Sequence, residues 1–109
     1  MAHCGRNIKQ LTVLGVGYGA TRQAAVTVAT TLAETLALGA GDAWIDQQEC
    51  PDNCPFRDES VRLTGRARVE FAGQIVEHYW IAVVKRRAVA VLECKEKPEK
   101  ERDRKGNKE

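Results

Sequence analysis

One stretch constrains this 109-residue chain more than any other. Residues 20–38, ATRQAAVTVATTLAETLAL, carry apolar side chains at helical spacing, while every other patterned segment reads as a strand. Ala25, Val28, Ala29, Leu32 and Leu36 form one apolar stripe, with Arg22, Thr30 and Glu34 on other faces. Thr21 or Gly19 supplies the start. Gly39 follows the last apolar residue as a C-cap, with Gly41 beyond it. The small residues of the stripe permit close approach to a sheet.

The strands follow from alternation. Residues 7–16, NIKQLTVLGV, are β-branched and alternating, and Gly15, Gly17 and Gly19 close them with a turn or bulge. Residues 43–49, AWIDQQE, form a shorter strand, followed by the loop CPDNCPF, where two prolines fix the backbone and remove donors. Residues 60–71, SVRLTGRARVEF, alternate most clearly: Val61, Leu63, Ala67, Val69 and Phe71 against Arg62, Thr64, Arg66, Arg68 and Glu70. Ala72-Gly73 reads as a hairpin connection into a strand at 74–84. Lys85-Arg86-Arg87 reads as the next turn, and 88–94 as the last strand. The predicted order is β-α-β-β-β-β, an α+β fold with a single helix packed on a mostly antiparallel five-stranded sheet. One helix wrapped by such a sheet resembles the cystatin-like architecture in outline. The protease-binding loops of that family have no counterpart here, so the resemblance implies a topology and no activity.

Of the 17 Lys and Arg and 15 Asp and Glu, seven and five fall in residues 95–109, which leaves ten of each in residues 1–94. The expected division is therefore one neutral α+β domain over 1–94 and a charged tail over 95–109. The tail has no apolar side chain except the Pro98 ring to offset its ordering entropy, and is expected to be disordered. The apolar region 24–38 is interrupted by four threonines and Glu34, and no signal-like segment opens the chain, so a cytoplasmic protein without a membrane span is expected. A secreted protein that had lost its leader would look the same.

Four cysteines, Cys4, Cys50, Cys54 and Cys94, are the first chemical candidates. On the five-stranded topology Cys50 and Cys54 lie at one end of the sheet and Cys4 and Cys94 at the other. A strand of 7–10 residues separates the ends by roughly 23–34 Å, which one zinc ion with bonds of about 2.3 Å cannot bridge. That placement favours two pairs, Cys50 with Cys54 and Cys4 with Cys94. Four reduced structural thiols are the alternative in a reducing compartment, and a thiol- or metal-dependent site on the C-x3-C loop is a third. A thioredoxin-like role is disfavoured, because three residues separate Cys50 from Cys54 and no helix follows.

Gly15, Gly17 and Ala20 match a degenerate G-x-G-x-x-A after a strand and before a helix. The rest of the chain offers no further βαβ unit. The glycines then read as a turn, with Gly17 and Gly19 as a candidate anion site at the helix start. The glycine-rich lead into an alanine-rich helix also resembles the closing helix of double-stranded-RNA-binding domains, over about a fifth of the chain and without the lysine cluster that meets phosphate. Arg62, Arg66 and Arg68, with Arg86 and Arg87, are the residues a weak RNA binder would use. The neutral body argues against nucleic acid as the partner.

Within the expected 74–84 strand, Val76, His78, Trp80 and Ala82 share one face and Tyr79 the other, and both faces are apolar. Val76, His78, Trp80 and Ala82 are thus the candidate interface, for an unknown protein partner or for a second copy of the chain in a homodimer. Two histidines, one serine and no convergent carboxylates give no catalytic set. The expectation is a small non-enzymatic binding protein with no cofactor.

Overall fold

The computed structural model describes residues 2–96. It contains one helix and three strands: β1 (Gly5–Gly19), α1 (Arg22–Asp46), β2 (Phe56–Val76) and β3 (Tyr79–Lys95). The strands make a single antiparallel sheet in the order β1-β3-β2. The fold is α+β, and the expected five strands reduce to three. The cystatin-like outline goes with them. The expected disordered tail lies outside the described residues, apart from Lys95, which ends β3, and Glu96.

Three local causes account for the difference. First, α1 does not stop at Gly39. Its buried positions recur every fourth residue, Ala25, Ala29, Ala33, Ala37, Gly41 and Ile45, so the stripe carries the helix through 43–46, where a strand was expected. Gly39 is an exposed interior residue. Gly41 is small because a Cβ there would run into the Val61 side chain and approach Leu11. Second, the hairpin turn is Glu77-His78, not Ala72-Gly73, with Val76 opposite Tyr79 and His78 in the left-handed region at φ 63°. Third, Lys85-Arg86-Arg87 lies inside β3 and makes no turn. Lys85 and Arg87 point to one face of the sheet. Arg86 points to the other, beneath α1, where its guanidinium donates to Glu34 and to the carbonyls of Thr64 and Gly65.

The helix rests over β1 and β3 mainly on small residues, with Val84 in the core and Val13, Val26 and Trp80 packed against it. Gly15, Gly17 and Gly19 do not close β1; they are part of it. A Cβ at Gly15 or Gly17 would overlap the backbone of α1 at Ala25, Ala29 and Ala33. The alanine stripe therefore sinks onto the strand, and Ala82 and Val84 of β3 complete this core. The apolar stripe expected from periodicity is split accordingly. Ala25 and Ala29 are buried, whereas Val28, Leu32 and Leu36 stay exposed.

β2 has 21 residues against 17 in β3. Its register slips by two residues between Thr64 and Arg68, by one between Val69 and Phe71, and by one between Gln74 and Val76, which absorbs the difference. Gly65, at φ 69°, sits in the first bulge. At the helix C-terminus Thr21's counterpart is Arg57 of β2: its Nη2 donates to Ile45 O at 3.2 Å and Nη1 to Gln48 O at 3.0 Å, a cation set against the negative helix end. At the N-terminus the Thr21 hydroxyl accepts from Ala24 N.

Candidate functional site

The cysteines come together at one end of the molecule. Because residues 43–46 are helix, the 47–55 loop returns to the end where β1 begins and β3 finishes. One fewer strand reverses the direction of the chain at Cys50. The bridges are Cys4–Cys54, with Cα atoms 5.8 Å apart, and Cys50–Cys94, with Cα atoms 5.6 Å apart. The expected pairs, Cys50 with Cys54 and Cys4 with Cys94, are not formed. All four sulfurs lie in these two bridges, and none of the four cysteines is a free thiol. Among the described residues no group of three or more His, Cys, Asp or Glu is placed to hold a metal ion.

Around the bridges, Ala2, Cys54, Leu92 and Cys94 form a second small core, flanked by Trp44 and Cys50. Buried Asn7 ties the N-terminal segment into it. Its Nδ2 donates to His3 O at 2.8 Å, to Gly5 O at 3.2 Å and to Leu92 O at 3.2 Å, and its Oδ1 accepts from His3 N. Two disulfides fit an oxidising environment, and the cytoplasmic expectation loses its support. By length and composition alone α1 is also apolar enough to cross a bilayer, although here its alanine stripe closes the core.

The residues expected to form an interface are separated. Ala82 is fully buried under α1, and Trp80 is half-buried against the same core. Val76 and His78 are exposed at the hairpin, with His78 Nε2 3.5 Å from Glu77. Gly17 and Gly19 face the helix, whose own backbone fills the space an anion would need. Of the arginines, Arg86 is committed to Glu34 and Arg66 falls in the bulge, while Arg62, Arg68 and Arg87 reach the face that α1 leaves bare.

That bare face is the main surface feature of the fold. Directly opposed residues share a face, so the register assembles it row by row. Tyr18 lies beside Ile81 and Gly73, and Val16 beside Val83 and Phe71. Leu14 lies beside Lys85 and Arg68, Thr12 beside Arg87 and Thr64, and Gln10 beside Val89 and Arg62. Tyr18 stacks on Tyr79, with ring centroids 5.6 Å apart. Phe71 is 55% exposed, and its ring lies over Gly73. The hairpin half of the face is thus apolar. The middle is cationic, with a groove of about 400 Å³ lined by Gln10, Thr12, Arg62, Thr64 and Arg87. Glu70 offsets only part of that charge, 3.5 Å from Arg68 and 4.0 Å from Lys85. Periodicity could not find this face, because β2 slips its register three times and Phe71 leaves the side its alternation assigns.

At the disulfide end, Lys95 donates to Asp58 at 2.8 Å, and this hydrogen bond, reinforced by the Asp58 charge, holds the ammonium's pKa above its ordinary value. Comparison with known proteins finds no family model, no curated protein and no solved structure that matches.

Proposed function

We propose that this chain is a non-enzymatic interaction module of an oxidising compartment, outside the cytoplasm, and that it binds a protein partner on the bare face of its sheet. One observation carries the reading. The sheet is covered on one side only, and the uncovered side presents apolar rows where a solvated sheet face would be polar. Phe71, Tyr18 and Tyr79 are aromatic anchors of the kind that dominate contacts between proteins. Arg62, Arg68 and Arg87 beside them favour a partner with an apolar knob flanked by carboxylates. The two bridges support the same reading, since a strand meander under one helix has little core and needs staples to keep such a face flat.

A photo-crosslinking residue placed at position 71 tests it. The expected result is one discrete adduct with a protein of the source, competed away by excess wild-type chain but not by Phe71→Glu. The same crosslinker at exposed Thr35, on the opposite side of the molecule, gives no such adduct. Equal labelling from both positions, or none from 71, removes the reading. A weak RNA binder is the second reading, favoured by the Arg62–Arg87 groove. Its signature is an affinity for RNA that falls steeply with salt and is lost in Arg62→Gln/Arg87→Gln while Phe71→Glu retains it.

A further inference from the structure

The two edges of the sheet are unlike. β2 is bulged three times and carries Arg57, Asp58, Glu59, Arg62, Arg66, Arg68 and Glu70. Bulges and charges are how edge strands are kept from pairing. β1 has neither device over its second half. It pairs with β3 without a register shift from Gly5 to Gly19, and no charged residue occurs after Lys9. Among the described residues no strand lies beside its outer row of backbone donors and acceptors.

The helix presents a matching surface on the same side. The positions following the buried stripe turn toward β2 and β3: Glu34 reaches Arg86, and Leu38 and Asp42 line a cleft with Glu59, Ser60 and Val61. The positions preceding it turn the other way, as Ala24 shows by its closeness to Gly19 of β1. Val28, Leu32 and Leu36 precede Ala29, Ala33 and Ala37, so they overhang the free β1 edge, 49%, 41% and 45% exposed.

We infer that the partner on this edge is a second copy of the chain, paired antiparallel through β1 about a two-fold axis at Gly15. The register is set by the helix. Gly15 lies under Ala29 and Ala33, hence level with Leu32, the middle of the exposed stripe. An axis there sets Leu32 against its symmetry mate and Val28 against Leu36 of the other copy. In the strands it sets Leu14 against Val16 of the other copy on the bare face. The spacing fits. α1 packs on both β1 and β3; with its axis midway between them it stands one strand spacing of about 4.8 Å from the two-fold, and the two helices are then about 9.6 Å apart, within the 8–10 Å of packed helices. The shared wall is about 30 Å long, from nine residues of strand, and about 20 Å high through sheet and helix. That buries on the order of 1,200 Å² in total, the lower end of what a specific dimer needs. The product is a six-stranded sheet with its two-sided edge removed and its bare face doubled. The inference does not depend on what that face binds.

Sedimentation equilibrium of the oxidised full chain across a concentration series tests it. The wild type is expected to be a dimer, and Leu32→Arg, which sets two like charges together at the axis, a monomer with association weakened by at least about 100-fold. Leu32 is outside the core, so the thermal unfolding of the monomer should hardly change. Phe71→Glu should leave the dimer intact. Hydrogen exchange of wild-type amides 11–19 is a second readout, with protection rising as concentration increases. A wild type that stays monomeric, with β1 amides equally exposed at every concentration, overturns the inference. So does a dimer that Leu32→Arg leaves intact and Phe71→Glu dissolves.

Discussion

Adding one methyl group at Gly17 and at Gly39 should shift stability in opposite directions. A Cβ on Gly17 would stand 2.9 Å from Ala29 Cα and closer still to Ala29 N and Ala25 O, all helix backbone. Ordinary carbon contacts lie at about 3.5–4.0 Å, so α1 must lift by on the order of 1 Å. No side chain is available to rotate away, which puts the cost at the upper end of overpacking, about 3 kcal/mol. For a domain of this size that lowers Tm by roughly 12–24 °C. A Cβ on Gly39 meets nothing within 4 Å, and the residue is an exposed helix interior position. Gly39→Ala should stabilise by about 0.5–1 kcal/mol through backbone entropy alone. Guanidinium unfolding of each variant, with both bridges intact, measures the two values. If Gly17→Ala falls within about 0.5 kcal/mol of wild type, the close helix-on-strand approach is refuted. If Gly39→Ala destabilises by about 1 kcal/mol, the helix ends at Gly39 as its sequence suggests, with glycine needed there for a left-handed cap.

Other consequences are independent of that pair. Removing the Cys50–Cys94 bridge as Cys50→Ala/Cys94→Ala opens a loop with a sequence separation of 44, and chain entropy puts the loss at about 4 kcal/mol, measurable by the shift in denaturation midpoint. Arg86→Ala should cost about 1–2 kcal/mol, because it removes the donor of the part-buried Thr64 carbonyl and the partner of Glu34, while the exposed Gly65 carbonyl can turn to water. Glu34→Gln, at a more exposed position that keeps a hydrogen-bonding oxygen, should cost less than about 1 kcal/mol. The Lys95–Asp58 pair raises the lysine pKa, so its contribution is complete below the ordinary lysine value and is lost only as pH rises through the raised one. An NMR titration should show Lys95 returning toward its ordinary value in Asp58→Asn, and the pair's contribution to wild-type stability should not vary with pH near neutrality.

The α+β class and the neighbourhood of the helix start were legible because they rest on local signals: Thr21 or Gly19 as the cap, alanines at helical spacing, alternation over 7–16. The errors share one cause. Glycine and charge were read as punctuation where tertiary packing had given them other roles. Gly39 and Gly41 look like a helix end until Val61 is seen to press on Gly41. Lys85-Arg86-Arg87 looks like a turn until Glu34 arrives, 52 residues away, to pair with Arg86. Ala72-Gly73 looks like a hairpin, while the real turn uses His78 at φ 63°, a conformation its sequence does not advertise. The misread helix end at Gly39 sent Cys50 and Cys54 to the wrong end of the sheet, whereas Cys4 and Cys94 share an end in both readings. The bare face was hidden for a related reason, since bulges in β2 break the period from which faces are read.

Disulfide connectivity is the most direct test of the architecture that bares this face. Non-reducing proteolysis followed by mass spectrometry should recover Cys4 linked to Cys54 and Cys50 linked to Cys94, and no free thiol. That result requires the helix to run through Asp46 and all four cysteines to meet at one end. Recovery of Cys50 linked to Cys54, or of Cys4 linked to Cys94, would contradict the fastening of the 47–55 loop to the N-terminal segment and to β3 at that end.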